Sequence, residues 1–392
     1  MQSLKSPTLA AAALIVGAVT ACAGSGALPR PPAPFTGDSA AFVITLGADT
    51  TALELFTIRG NTLETEVVGR TPSTSVRRVK MTWNSEGRVT SYEARNRAPA
   101  AHRDSARAVT SFAVASDSIT VTNTMGARTQ TSRMANGGIS TVVSLPAFSP
   151  FAVLARTALA RGDTIVVAQF GGDPLPFVVR MEAPAMYAFT APGLGTVLVQ
   201  MDAVGRVHLI DARRSTLGAV AKRVSTVNLP AWIRDYAARD AAGRGLGPLS
   251  PADSVRASVG GANVSIAYQR PSKRGRTIFG GVVPWNAVWR TGANTATVFT
   301  TDRNLTVGGV AVPAGSYTLW SLPSPSGWQL IINKQTGQWG TVYNQDRDLA
   351  RIPMTVERLS TPVEQFTLAI GGGRLSLTWD TTWAWVPIAV AP

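Results

Sequence analysis

Few side chains in this 392-residue chain are of types that do covalent chemistry. There are two histidines, His102 and His208, and one cysteine, Cys22. Zinc fingers, histidine-rich metal sites, disulfide scaffolds and thiol proteases need such residues in groups or pairs, so these classes are excluded. The chain has no Gly-x-Ser-x-Gly elbow and no Walker loop, and nothing in it marks a cofactor. Gly371-Gly372-Gly373 reads as a turn between strands, because no helix follows it to receive a phosphate. His208 stands in a strand segment beside Asp211, which suits either a general base or a structural histidine. Glu364 is a candidate acid for paired-carboxylate cleavage of a glycoside, with Asp346, Asp348 or Asp380 as partner. The spacing selects none of the three, and Glu364 is equally placed to fix a loop by pairing with Arg290 or Arg276.

Residues 269–294 hold the densest run of interaction chemistry. Arg270, Lys273, Arg274 and Arg276 surround Pro271 and Gly275. Such a run is either a solvated loop or a clamp for phosphate or carboxylate, since guanidinium forks match those anions in a bidentate way. The segment closes on Trp289-Arg290-Thr291-Gly292-Ala293-Asn294. If Trp289 packs inward, strand alternation turns Arg290 the other way, and Gly292 permits a bend that re-aims Asn294. Eight of the ten tryptophans lie after residue 280: Trp285, Trp289, Trp320, Trp328, Trp339, Trp379, Trp383 and Trp385. Core packing takes most such rings. Eight exceed what a core of this size needs, so one or two are expected to line a groove. The candidate ligand-binding set is therefore Arg290, Asn294, Trp289, Trp285, Trp339, Arg276 and Glu364.

These residues carry a resemblance. The last third of the chain is similar to an uncharacterised bacterial envelope family, the domain of unknown function numbered twenty-nine eleven. The likeness rests on Ile266-Ala267-Tyr268-Gln269-Arg270-Pro271-Ser272, on Gly275-Arg276-Thr277-Ile278-Phe279-Gly280 and on the Trp289–Asn294 motif. It continues through residues 312–319, Ile332-Asn333-Lys334, Gln338-Trp339-Gly340 and Pro362-Val363-Glu364. Thr295 stands where that family commonly carries an acidic or polar residue. The resemblance implies an exported β domain with no established activity.

The elements that must position these residues are strands. Gly and Pro are abundant, 36 and 25 residues, and punctuate short alternating runs, which predicts an all-β protein. Residues 38–242 read as an antiparallel meander, a barrel or curved half-barrel. Its two helical interruptions are predicted at 150–159 and 230–242. A curved sheet of this kind could also shelter a lipid, which requires an unfilled interior. Residues 243–250, with three glycines and a proline, are a linker. Residues 251–392 suit a sandwich or jelly roll, with Val264, Ile266 and Tyr268 sharing one face and Leu375, Leu377 and Trp379 another.

The start of the chain sets the compartment. Residues 7–21 are a charge-free apolar run, too short for the ~20 residues of a bilayer span. It ends in Val19-Thr20-Ala21 before Cys22. That pattern is a secretory signal and resembles a bacterial lipobox, so residues 1–21 are read as a leader and Cys22 as an acylated first residue. Two or more acyl chains would anchor it stably. Residues 22–37 form a Pro-rich tether. The formal charge of +14 points to an anionic surface or ligand, or only to an arginine-rich coding bias. The sequence expectation is an exported, membrane-anchored, non-catalytic binding module for an envelope glycan or lipid headgroup, with no nucleic-acid partner. Hydrolysis through Glu364 and a purely structural or assembly role are the alternatives.

Overall fold

The computed structural model describes residues 37–162, 164–170, 174–192 and 194–392. The expected leader, Cys22 and the expected tether before Gly37 lie outside the described residues. The protein is all-β, 57% strand and 8% helix, and its strands form two large sheets.

The first sheet has fifteen strands. Gly37–Leu46 lies in the middle and pairs on one side with Asp49–Arg59 and on the other with Val220–Val224. Hairpins lead outward to the edge strand Arg128–Ala135 on one flank. On the other flank the edge is Thr141–Val143, which runs parallel to Ile165–Phe170. The two edges do not pair with each other, so the sheet is not a closed barrel. It is curled. The Val89 amide donates to the Ile139 carbonyl across the opening (2.9 Å), so the loop before one edge strand meets the middle of the opposite flank.

Strand alternation explains the curl's contents. Phe42, Ile44, Phe56, Ile58, Leu63, Val67, Val79 and Met81 share the inner face and are all buried. Helix α1 (Ser149–Arg161) lies among them, with Phe151, Ala152, Leu154, Ala155 and Ala158 buried. Pro150 suits its first turn, and Gly162, with φ 67°, ends it in the left-handed region. Each large apolar side chain fully buried here stabilises by ~1.5–3 kcal/mol. A helix-filled trough leaves no space for a sheltered lipid, and that reading is removed.

Two buried carboxylates fix α1. Glu54 lies on the apolar inner face and caps the helix from across the trough. It accepts from the Phe148 amide (2.7 Å), the Ser149 amide (3.2 Å) and hydroxyl (2.5 Å), and the Thr65 hydroxyl (2.8 Å). An anion at a helix N-terminus meets both the unpaired amides and the dipole. Asp38 accepts from Arg156 of α1 (2.9 Å) and from Arg223 of the sheet (3.0 Å).

Helix α2 (Leu229–Ala241) covers the outer face, where Leu229 and Tyr236 pack on Leu53, Val68 and Val76. Asn228 caps it by accepting from the Ala231 amide (3.1 Å). Residues 243–250 carry no strand or helix.

The second sheet has nine strands. Asp348–Gly371 pairs with Trp328–Asn333 through its first residues and with Arg374–Val390 through the rest. It thus carries the sheet over, so that both halves face one core. Val264, Ile266, Tyr268 and Phe299 contribute from one half, and Leu375, Leu377, Trp379 and Val386 from the other.

Candidate functional site

Trp289 and Arg290 part as alternation predicts. The backbone of Trp289 exchanges hydrogen bonds with Ser321 (2.8 Å each way), which adds a short bridge to the strand Gly315–Leu322. The Trp289 ring then falls inside the sandwich. It stacks on Trp379 (5.9 Å between centroids, 18°) and meets Phe366 edge-on (5.2 Å). Phe279 packs against Trp289, Trp328 and Trp379 in the same cluster. Trp289 is therefore a half-buried ring packed against the core.

Arg290 points to the other side, beneath two loops. Burial lowers its pKa to about 10, and no acidic side chain among the described residues pairs with it. Its Nε is enclosed and has no hydrogen-bond partner. The Gln338-Trp339-Gly340 turn crosses its aliphatic stem. The Gly340 amide donates to the Asn294 carbonyl (2.8 Å), and Thr295 bridges to Trp339. A Cβ on Gly340 would collide with Arg290 Cδ and lie 2.5 Å from the Asn294 oxygen. Only glycine allows this approach.

The rest of the motif holds the shelf. Thr291, with φ 51°, and Asn294, with φ 57°, are non-glycine residues in the left-handed region. That conformation is strained for a β-branched threonine. Thr291 hydrogen-bonds Ser321 through its hydroxyl (2.7 Å), and its carbonyl accepts from Thr297 (2.8 Å). Asn294 donates its side-chain amide to Gln269.

The basic loop has a different role from a clamp or a solvated run. Arg270 pairs with Asp253 (3.1 Å) and donates to the Phe366 carbonyl (3.1 Å). Lys273 pairs with Asp380, and Arg276 donates to the carbonyls of Ser272 (2.6 Å) and Lys273 (3.0 Å). Arg274 reaches across to Asp49 of the first sheet. Gly47 and Gly218, both at turns with positive φ, lie directly against Arg274 and Arg276. The loop is thus a seam between the two sheets. Glu364 serves it: its carboxylate accepts from the Arg274 amide (2.8 Å) and its carbonyl from the Lys273 amide (2.7 Å). Glu364 meets neither Arg290 nor Arg276 by hydrogen bond.

The other candidates are dispersed. Trp285, 38% exposed, leans on Phe279, and Trp339, 53% exposed, stands on the turn that covers Arg290. His208 bonds Asp202 (3.2 Å), not Asp211, in an exposed turn where Arg206 binds the same carboxylate. Those donors hold the Asp202 carboxyl well below its usual pKa, against the effect of burial. Asp211 is taken by Arg213.

Sequence reasoning missed Glu54, Asp38 and the orphaned state of Arg290. Glu54 had a signal. It alternates with Ala52, Phe56 and Ile58 on an apolar face, where an acid is costly unless paired. The missing partner of Arg290 has no local signal.

Residues 250–388 match the model of a protein family of unknown function, DUF2911. No curated protein and no solved structure matches the chain.

Proposed function

We propose that this is an exported, lipid-tethered envelope protein whose C-terminal sandwich is a non-catalytic module. It binds an anionic or polar envelope ligand, a glycan or lipid headgroup, through Arg290. The single observation that carries the reading is the half-buried Arg290 guanidinium under the Gln338–Gly340 turn, which no acidic side chain among the described residues pairs and whose enclosed Nε has no hydrogen-bond partner. Every cation of the neighbouring basic loop has an acidic or carbonyl partner, and Arg290 has none. An isolated buried charge is costly to keep. An oxyanion is the ligand that would satisfy it, and Trp339 beside it offers an exposed ring to a sugar or headgroup. Export and tethering are supported by the leader-like start and by Cys22 after Val19-Thr20-Ala21.

The test is an array of sulfated and phosphorylated glycans and anionic phospholipids, probed with the mature chain. Arg290→Gln is expected to lower affinity for the bound class at least tenfold while near-ultraviolet circular dichroism stays unchanged. Unaltered binding overturns the assignment. Mass spectrometry of native material is expected to show Cys22 acylated as the first residue. A free thiol behind an intact leader overturns the tether.

A structural or assembly role is favoured by a different observation. Trp289, Thr291 and Asn294 are all consumed by internal contacts. That reading stands if Arg290→Gln binds normally and Asn294→Ala loosens the domain. Hydrolysis is less favoured: Asp380 does lie across the strand pair from Val363, beside Glu364, but it is paired with Lys273, and the Glu364 carboxylate holds the Arg274 amide.

A further inference from the structure

The strand Arg374–Val390 changes phase part-way along. Leu375, Leu377 and Trp379 face the core at first, and then Ala384, Val386 and Ile388 are the buried ones. The change falls at Asp380, which has a φ of 52°, and the pairing with Asp348–Gly371 slips on both sides of its partner Val363. A shift of one residue turns every later side chain to the opposite face. Strict alternation would bury Trp383 and Trp385 beside Trp379. Instead they stand half-buried on the outside and take no part in the sandwich core.

The bend also returns the strand's end to its own beginning, where the Ile388 amide donates to the Gly373 carbonyl (2.9 Å). Arg374, exposed at the start of the strand, thereby covers both rings. Its guanidinium carbon lies 4.4 Å from the Trp385 centroid and 5.6 Å from that of Trp383. The two rings are 6.2 Å apart and tilted by 35°. Among the described residues Arg374 makes no hydrogen bond and no ion pair. Stacking occupies the face of the guanidinium and leaves its in-plane N–H fork free. Glu357, directly across the strand pair from Trp383, accepts from Trp385 Nε1 through Oε1 (3.2 Å). Its second oxygen accepts no hydrogen bond among the described residues.

These groups call for a ligand with two kinds of chemistry. The free fork matches a carboxylate in a bidentate way. The free Glu357 oxygen takes a hydroxyl and repels a second anion, which disfavours a bare oxyanion such as phosphate. A neutral sugar would leave the fork without its counter-charge. We propose that Arg374, Glu357 and Trp383 form a site for an acidic sugar, a hexuronate residue of a glycan. Its carboxylate lies on Arg374 and a ring hydroxyl donates to Glu357. Its C–H face rests on Trp383, the ring that the guanidinium covers less. The site shares no residue with the Arg290 shelf and does not depend on it.

The mature chain is titrated calorimetrically with trigalacturonate, with its neutral counterpart galactotriose, and with inorganic phosphate. Trigalacturonate is expected to fill a saturable site at which galactotriose and phosphate are each at least tenfold weaker. Arg374→Gln, which removes the charge, is expected to weaken trigalacturonate at least tenfold, and Trp383→Ala at least threefold. Arg374 is exposed and Trp383 lies outside the core, so both variants keep the fold, and their melting temperatures report it. The titrations are repeated in Arg290→Gln, where the site that Arg374→Gln weakens is expected to persist. Its loss there would assign the binding to the Arg290 shelf and overturn the proposal. No saturable trigalacturonate binding, equal binding of galactotriose or phosphate, or an unchanged affinity in Arg374→Gln or Trp383→Ala also overturns it.

Discussion

Arg290→Met separates a residue kept for the fold from one kept for a ligand. Methionine retains an unbranched stem against Gly340 and removes the charge. Burial holds the Arg290 pKa at about 10, down from 12.5. At about 1.36 kcal/mol per pKa unit, the folded state bears roughly 3 kcal/mol for that charge at neutral pH. The sign follows from the direction. A base with a depressed pKa is disfavoured in the folded state at every pH below the depressed value. At pH 7 the group is charged in both states and the full penalty stands. Arg290→Met is therefore expected to stabilise the sandwich by ~1–3 kcal/mol, as replacing isolated buried charges commonly does. Urea unfolding followed by tryptophan emission measures it, since eight of the ten tryptophans report on this domain. An oxyanion ligand at a hundred times its Kd would stabilise the parent by ~2.7 kcal/mol and the variant not at all. Loss of more than 1 kcal/mol in Arg290→Met would refute the reasoning, because it would mean the guanidinium has a partner in the fold.

Other substitutions test the scaffold. Glu54→Ala leaves the Phe148 and Ser149 amides and the Ser149 hydroxyl unmet, and is expected to cost ~3–5 kcal/mol in urea unfolding. Burial raises the Glu54 pKa above 4.5, so the folded state holds its proton more tightly. This group's contribution therefore falls as pH rises past 4.5. The stability gap between parent and Glu54→Gln should change with pH in that direction, and a pH-independent gap would count against it. Gly340→Ala forces the turn off Arg290 and the Asn294 carbonyl, and is expected to cost ~1–3 kcal/mol and to abolish array binding. Gly47→Ala meets both a left-handed φ of 60° and the Arg274 backbone. It should open the seam and speed tryptic cleavage at Arg244, and an unchanged cleavage rate would show that the seam does not depend on this contact.

The legible part of the fold was the part that local pattern controls. Val264, Ile266 and Tyr268 alternate in sequence and are buried together, as are Leu375, Leu377 and Trp379. Both helices fall within two residues of expectation, because Pro150 and Pro230 mark first turns and Gly162 an end. What stayed hidden depends on which distant groups meet. His208 was paired with Asp211 by adjacency, yet a turn brings Asp202 to it instead. The cations at 270–276 read as one patch, but each found a different partner, and one of them, Asp49, lies 225 residues away. At the candidate site, the side on which Arg290 falls was predictable from Trp289. That nothing acidic meets it there was not, because the loop that covers it, Gln338–Gly340, comes from another part of the chain.

The seam and the shelf are one continuous piece of chain, and this bears on how the two sheets communicate. Gln269 ends a core strand and receives the Asn294 side chain; the next residues are the basic loop that docks on Gly47, Gly218 and Asp49. Phe279 and Trp289, from the same stretch, are locked in one aromatic cluster. A shift of Asn294 is therefore resisted at both ends, by rings inside the sandwich and by ion pairs at the joint. Strained left-handed residues persist only where their surroundings over-determine them, and Thr291 and Asn294 meet that condition. An occupant that moved Arg290 would have to move Asn294 through Gly340, and with it Gln269. For the proposed anion site, the arrangement thus favours a rigid, preformed shelf over one that forms on binding, and it makes the joint between the sheets the place where a ligand-driven change would be felt first.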